Sequence, residues 1–289
     1  MLTTPSESLT KGPARSIIKG KAILCVTQNS DKITRIKDLY QTDPLRVLFP
    51  QIPEGEIHQS VIVTTSGGLV GGDKITIDIK SGAHTKSLIM AQAAEKIYRS
   101  TGKDTEIKID LNCEEGSWLE FLPQETILFD GSRLQRKTNI NVYSNARVLT
   151  GEIVVFGRSA YGEEFKTGMF KDSWEVAYND RFVWSDSFLL GENIASIVNN
   201  WACLDDAVAL GTLVYMGPDT SNALSIARES IKIERVGVIA GVTCVNGVLI
   251  TRFVGRDALN LRKTFEDLWK TLRNNLVNLP QKMPRLWSM

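Results

Sequence analysis

The 289-residue chain is 23% charged and 43% hydrophobic with a formal net charge of +1, the balance of an ordinary globular protein. A pI near 7.6 supplies no field that would draw nucleic acid or an acidic bilayer. No apolar run approaches the roughly 18 residues of a membrane span.

The chain opens on MLTTPSESLTKGPARS, which has no apolar signal core and reads as a polar lead-in of about 15 residues, so a cytoplasmic protein is expected. From there the pattern is β. Ile75, Ile77 and Ile79 alternate with polar residues, SGAH turns the chain, and TKSLIMA follows. EIKIDL (106–111) alternates again, then WLEFL after an acidic-Gly turn, then TNINVY (138–143) leading into RVLTGEIVVFG. Period-2 segments separated by Gly, Asn and Ser turns are the mark of stacked sheets or a barrel. Residues 221–230 are a short helix candidate. VTCV-NG-VLITRFV (242–254) predicts a hairpin at Asn246-Gly247. From Asp257, a plausible N-cap, Ala258, Leu261, Phe265, Leu268, Leu272 and Leu276 recur at helical spacing, with Pro280 beyond the end. The closing QKMPRLWSM reads as an extended tail. Nothing resembles a repeat or linker, so one domain over 1–289 is expected.

Cys25, Cys113, Cys203 and Cys244 are far apart, without CxxC or a Cys/His cluster, so a structural zinc site is not supported and reduced, mostly buried thiols are expected.

The stretch VTTSGGLVGGDKITIDI (63–79) holds four glycines within six positions and an aspartate directly after them. Gly67, Gly68, Gly71 and Gly72 do not have the Rossmann spacing, and a strand pattern follows where a helix is needed. Gly67 to Gly72 has P-loop spacing, but Asp73 stands where lysine belongs and would repel phosphate. What remains is a tight turn or close backbone approach.

SGGLVGGDKITIDI, GAHTKSLIMAQAAEKIYRS (82–100), WLEFLPQETILFDGSRL (118–134), ARVLTGEIVVFGRSAYGE (146–163) and the final MPRLW together resemble the urease accessory protein family UreD, also called UreH. The resemblance covers roughly residues 55–289. It departs at Thr64-Thr65, where many members carry histidine or proline. The resemblance implies a mainly β fold, a superhelical stack of β-sheets with about two α-helices, one near the C-terminus. It also implies a non-enzymatic scaffold that binds the urease apoprotein and recruits UreF and the GTPase UreG, with no tightly bound cofactor and transient Ni2+ moving along acidic residues.

Carboxylates hold such an ion more weakly than imidazole or thiolate. Asp73, Asp130, Glu152 and Glu163 are the candidate route. Asp73 equally suits an Asx-type turn, and Glu152 and Glu163 read as solvated strand or turn positions. His84 and His58 read as structural histidines. Arg99 is expected to pair with Asp130 or Glu125, and Pro123-Gln124-Glu125 to form a bent strand connection. Trp287 is expected to pack on this protein or on a partner, and Leu286 and Trp287 in the tail are the candidate partner contacts, since an exposed terminal tryptophan needs cover. The alternative function is a β-rich hydrolase pairing Asp73 with Glu152 or Glu163 as acid and base.

Overall fold

The computed structural model describes residues 17–233 and 235–288; the expected polar lead-in lies outside the described residues. The first strands are β1 (Lys19–Gln28), β2 (Thr34–Thr42), β3 (Leu45–Leu48), β4 (His58–Thr64), β5 (Lys74–Ser81) and β6 (Lys86–Gln92). Then come β7 (Glu95–Ile97), β8 (Thr105–Cys113), β9 (Trp118–Leu122), β10 (Thr126–Leu128), β11 (Arg133–Val142) and β12 (Arg147–Phe156). The last part alternates strands and helices: β13 (Met169–Tyr178), β14 (Arg181–Leu190), α1 (Ile194–Val198), β15 (Ala209–Met216), α2 (Thr220–Ser230), β16 (Val238–Val245), β17 (Val248–Gly255) and α3 (Ala258–Val277).

From β4 to β13 the chain winds as a coil, shuttling between two sheets. β5, β8, β11 and β13 enter one sheet in parallel, while β4, β6, β9 and β12 enter the other. The result is a seven-stranded sheet ordered β14-β13-β11-β8-β5-β1-β2 and a ten-stranded sheet running from β16 to β3, with β7 and β10 at its side. The expected superhelical stack of sheets is what forms, with the five-residue α1 as a third helix.

The parallel register explains why the sequence alternates as it does. Leu24, Ile79, Leu111, Ile140 and Val176 align across five neighbouring strands, and all are buried. Each such side chain contributes about 1.5–3 kcal/mol by burial, and together they form one wall of the core between the sheets. A second core lies on the opposite face of the ten-stranded sheet, under α2 and α3. Strands of that sheet are therefore covered on both faces, and β9 and β12 lose their alternation.

Asp257 caps α3 by accepting the Asn260 N–H at 2.8 Å, and Asn278 ends the helix in the left-handed region at φ 56°. Leu261, Phe265, Leu268 and Leu272 are buried, as their spacing predicts, and Trp269 and Arg273 join them. Gly151 lets the helix close in, because a Cβ there would stand 2.8 Å from the Phe265 ring. Asn246 and Gly247, at φ 48° and 81°, turn the β16–β17 hairpin.

The tail departs from expectation. Residues 285–288 form a 3-10 turn, and Trp287 is 1% exposed. Its ring stacks on Phe265 at 6.1 Å, Arg262 lies 4.5 Å over its centroid, and its Nε1 donates to Glu266 at 2.6 Å. The chain itself covers this tryptophan; Leu286 is half-buried. All four cysteines are free, but only Cys113 is fully buried and Cys203 is exposed. No helix among the described residues is long and apolar enough to cross a membrane.

Candidate functional site

The glycine stretch is a loop pressed against the segment after β7. Leu69 donates to the Lys96 carbonyl and accepts from the Tyr98 N–H, both at 2.8 Å, and the Tyr98 hydroxyl donates to the Gly67 carbonyl at 2.7 Å. A Cβ on Gly68, at φ 145°, would stand 2.6 Å from the Tyr98 ring and 2.7 Å from the Lys96 carbonyl; one on Gly71 would run into Ser100 and the Lys103 carbonyl. Close backbone approach is thus the reason for the glycines.

Asp73 closes this loop. It is 1% exposed, its Oδ1 accepts the Ile18 N–H at 3.0 Å and its Oδ2 the Val70 N–H at 2.9 Å. Asp130 organises a second loop: its Oδ1 accepts the Lys166 and Thr167 N–H groups at 3.0 and 2.8 Å, and its Oδ2 pairs with Arg99 at 3.3 Å. Burial would raise Asp130, but those amide donors, the Thr167 hydroxyl and Arg99 hold its carboxyl below the usual range. Glu163 binds Arg158 at 2.6 Å, and that hydrogen bond lowers its pKa. The expected loop of Pro123, Gln124 and Glu125 joins β9 to β10. Glu125 pairs with Arg262, and Gln124 donates to the Leu286 carbonyl at 3.1 Å.

Glu152 overturns its expectation of a solvated position. It is 6% exposed and lines a cavity of about 210 Å3 between the sheets. It is lined by Thr64, Ser66, Gly67, Gly68 and Glu95 and by Ile75, Ile107, Phe121, Thr150, Glu152 and Arg136. Asp73, Asp130 and Glu163 are not on its wall, so the acid/base pairing of a hydrolase is not assembled there. His58 and His84 are also elsewhere: His58 contacts Ser60 at 3.2 Å, and the His84 N–H donates to the Glu115 carbonyl at 2.9 Å. Among the described residues no three His, Cys, Asp or Glu side chains form a metal-holding group.

The cavity is charged by a row that turns polar midway. Across the seven-stranded sheet Ile75, Ile107, Arg136 and Asp172 are in register; across the other, Glu152, Thr212 and Arg252. Arg136 bridges the sheets. Its Nε donates to Asp172 Oδ1 at 2.9 Å, its Nη1 to Thr126 at 3.2 Å, and its Nη2 meets Glu152. Trp174 Nε1 donates to the other Asp172 oxygen at 2.8 Å. Arg252 in turn meets Thr212 and the half-exposed Asp186. Burial pushes the Glu152 carboxyl well above the ordinary range against the pull of Arg136, and the charge of Asp172 adds to the rise. Burial acts on Asp172 in the same sense but is outweighed there by Arg136 and by hydrogen bonds from Glu152, Arg136 and Trp174, so its pKa falls. The two carboxyls are thus shifted in opposite directions, Glu152 up and Asp172 down.

Glu95 is the residue that sequence reading missed. It accepts from the Thr64 hydroxyl at 2.7 Å, and burial raises its pKa. Its only signal was a glutamate inside the small, apolar run AQAAEKI. Ser66 and Thr150 line the cavity, and their buried hydroxyl oxygens have no hydrogen-bond partner within the protein.

Residues 19–288 match the family model described as UreD urease accessory protein. The chain belongs to the UreD family. Among its relatives, the urease accessory protein UreD of Magnetococcus marinus is 44% identical over 261 residues, 89% of either chain. That of Rhodopseudomonas palustris strain HaA2 is 36% identical over 257 residues, 89% of this chain and 88% of the relative. That of Methylobacterium sp. strain 4-46 is 34% identical over 279 residues, 96% of each. Within this UreD-family chain, the glycine loop and Glu152 both line the cavity.

Proposed function

We propose that the chain matures urease as a non-enzymatic cytoplasmic scaffold: it binds the urease apoprotein, recruits UreF and UreG, and lets Ni2+ cargo pass between its two sheets. Family membership supports the role in general. The observation that carries the route is the cavity of about 210 Å3 with Glu95 and Glu152 on its wall and unpartnered hydroxyls beside them. These are oxygen donors without imidazole or thiolate, a set that holds Ni2+ weakly enough to release it. Asp73, Asp130 and Glu163 fit the reading as residues that shape the loops around the route.

The test is urease activation in cells co-expressing the cognate urease and accessory genes, with this chain wild type, deleted, Glu95→Gln or Glu152→Gln. Affinity-purified complexes are probed for UreF, UreG and urease. Loss of activity on deletion, with both variants assembling but leaving urease nickel-poor, supports scaffold and route together. Full activity without the chain and no co-purifying partner sinks the scaffold; wild-type nickel content with both variants sinks the route alone.

A further inference from the structure

Arg136 is a fixed positive charge on the wall of a cavity through which a cation is proposed to pass. It is 5% exposed and pairs with Glu152 on that wall and with Asp172, which is buried but not on the wall. A tie between sheets needs one such pair. Here one guanidinium faces two carboxylates from opposite sheets, with open cavity volume beside it and the Phe170 ring 5.7 Å from its carbon. Thr150, 1% exposed and on the same strand face as Glu152, also lines the cavity. The next cation along, Arg252, is already engaged by Asp186 and Thr212.

We propose that Arg136 is a tethered counter-cation. It occupies the Glu152–Asp172 oxygens when no divalent ion is there and, by competing for them, keeps a passing ion's stay short. This rests on the passage reading above. Two facing carboxylates in a dry interior would bind a divalent cation firmly; a guanidinium a few ångströms away opposes that binding by its charge. Its planar fork donates to Asp172 through Nε while Nη2 sits in ion-pair contact with Glu152, a geometry lysine does not reproduce. The residue thereby sets residence time, a different task from ligating the ion.

The experiment measures nickel held by the full chain, purified with its co-expressed accessory proteins and desalted, as metal per folded chain, alongside the rate of urease activation. Arg136→Gln is expected to raise nickel retention about tenfold or more and to slow activation. Arg136→Gln with Glu152→Gln, which removes the guanidinium together with one of its two carboxyl partners, should return retention to the wild-type level. Retention per folded chain in Arg136→Gln equal to wild type overturns the proposal, including where the only effect is a smaller yield of folded protein. If Arg136→Gln yields no folded chain, Arg136→Lys decides: it keeps the charge but loses the fork, and at least a threefold rise is expected, while no rise overturns the proposal. Glu152→Gln alone separates the two readings. If it activates urease at the wild-type rate, the route itself fails; if it blocks delivery while the Arg136 variants leave retention unchanged, only the counter-cation fails.

Discussion

Arg273 of α3 and Glu120 of β9, 153 positions apart, form an ion pair at 0% exposure, with Nε donating to both carboxylate oxygens at 3.1 and 3.2 Å. Trp118 and Trp269 donate to the same carboxylate, and Arg273 also holds Glu56 and the Pro280 and Lys282 carbonyls. Burial raises the Glu120 pKa despite these partners. Arg273→Met strands that carboxylate and is expected to cost about 3–5 kcal/mol. Glu120→Gln keeps acceptors and should cost less. Thermal denaturation of the two variants side by side gives the order; equal losses would contradict it.

Gly71→Ala is expected to destabilise by about 1–3 kcal/mol, because its methyl group meets the Lys103 carbonyl as well as the Ser100 side chain, and the backbone carbonyl cannot simply swing away. Gly102, where a Cβ meets nothing within 4 Å but φ is 124°, isolates backbone strain from collision. Denaturant midpoints for both substitutions measure the difference.

Asp73→Ala removes the acceptor for two backbone N–H groups, and a buried donor left unpaired costs about 1–3 kcal/mol. The first loosening is expected where Ile18 leads into β1, seen as faster hydrogen exchange in residues 18–24. Unchanged exchange there would return Asp73 to consideration for metal contact.

Glu152 should make stability fall with pH. Its folded pKa is raised, so its contribution is complete below the unfolded value of about 4.3 and is lost as pH rises through the folded value. Glu152→Gln cannot ionise, so the gap between variant and wild type should move in the variant's favour from pH 5 to pH 8.5 in urea titrations. A constant gap would mean that Glu152 is ionised throughout.

Trp287→Ala should cost about 3–5 kcal/mol, since the ring fills a site against Phe265 and Arg262. Chemical denaturation checks the loss; a change below 1 kcal/mol would mean that the tail is dispensable to the fold.

The sheets were legible where one face of a strand meets the core and the other meets polar surroundings, as at Ile75 and Ile79. Glu152 was not, because β12 is covered on both faces and its glutamate sits in an apolar run with no period to place it. Its partners come from other turns of the coil, in a register that no local pattern encodes. Asp73 could be read either way from sequence; geometry supplied the two amides. For Trp287 the helical stripe was visible, but not that its tail folds back on it.

The second core also has a temporal meaning. Trp118, Leu122 and Leu149 share it with Leu261, Phe265, Leu268 and Trp287 of α3 and the segment after it, and with Ala223 and Ala227 of α2. During synthesis the coil can wind from its N-terminal side, yet that sheet face lacks its cover until α2 and α3 have been made. Contacts of such sequence separation close slowly. Before those helices exist, a nascent chain of this design is in its own most aggregation-prone form, which is the interval in which a chaperone or a waiting partner has the most to protect.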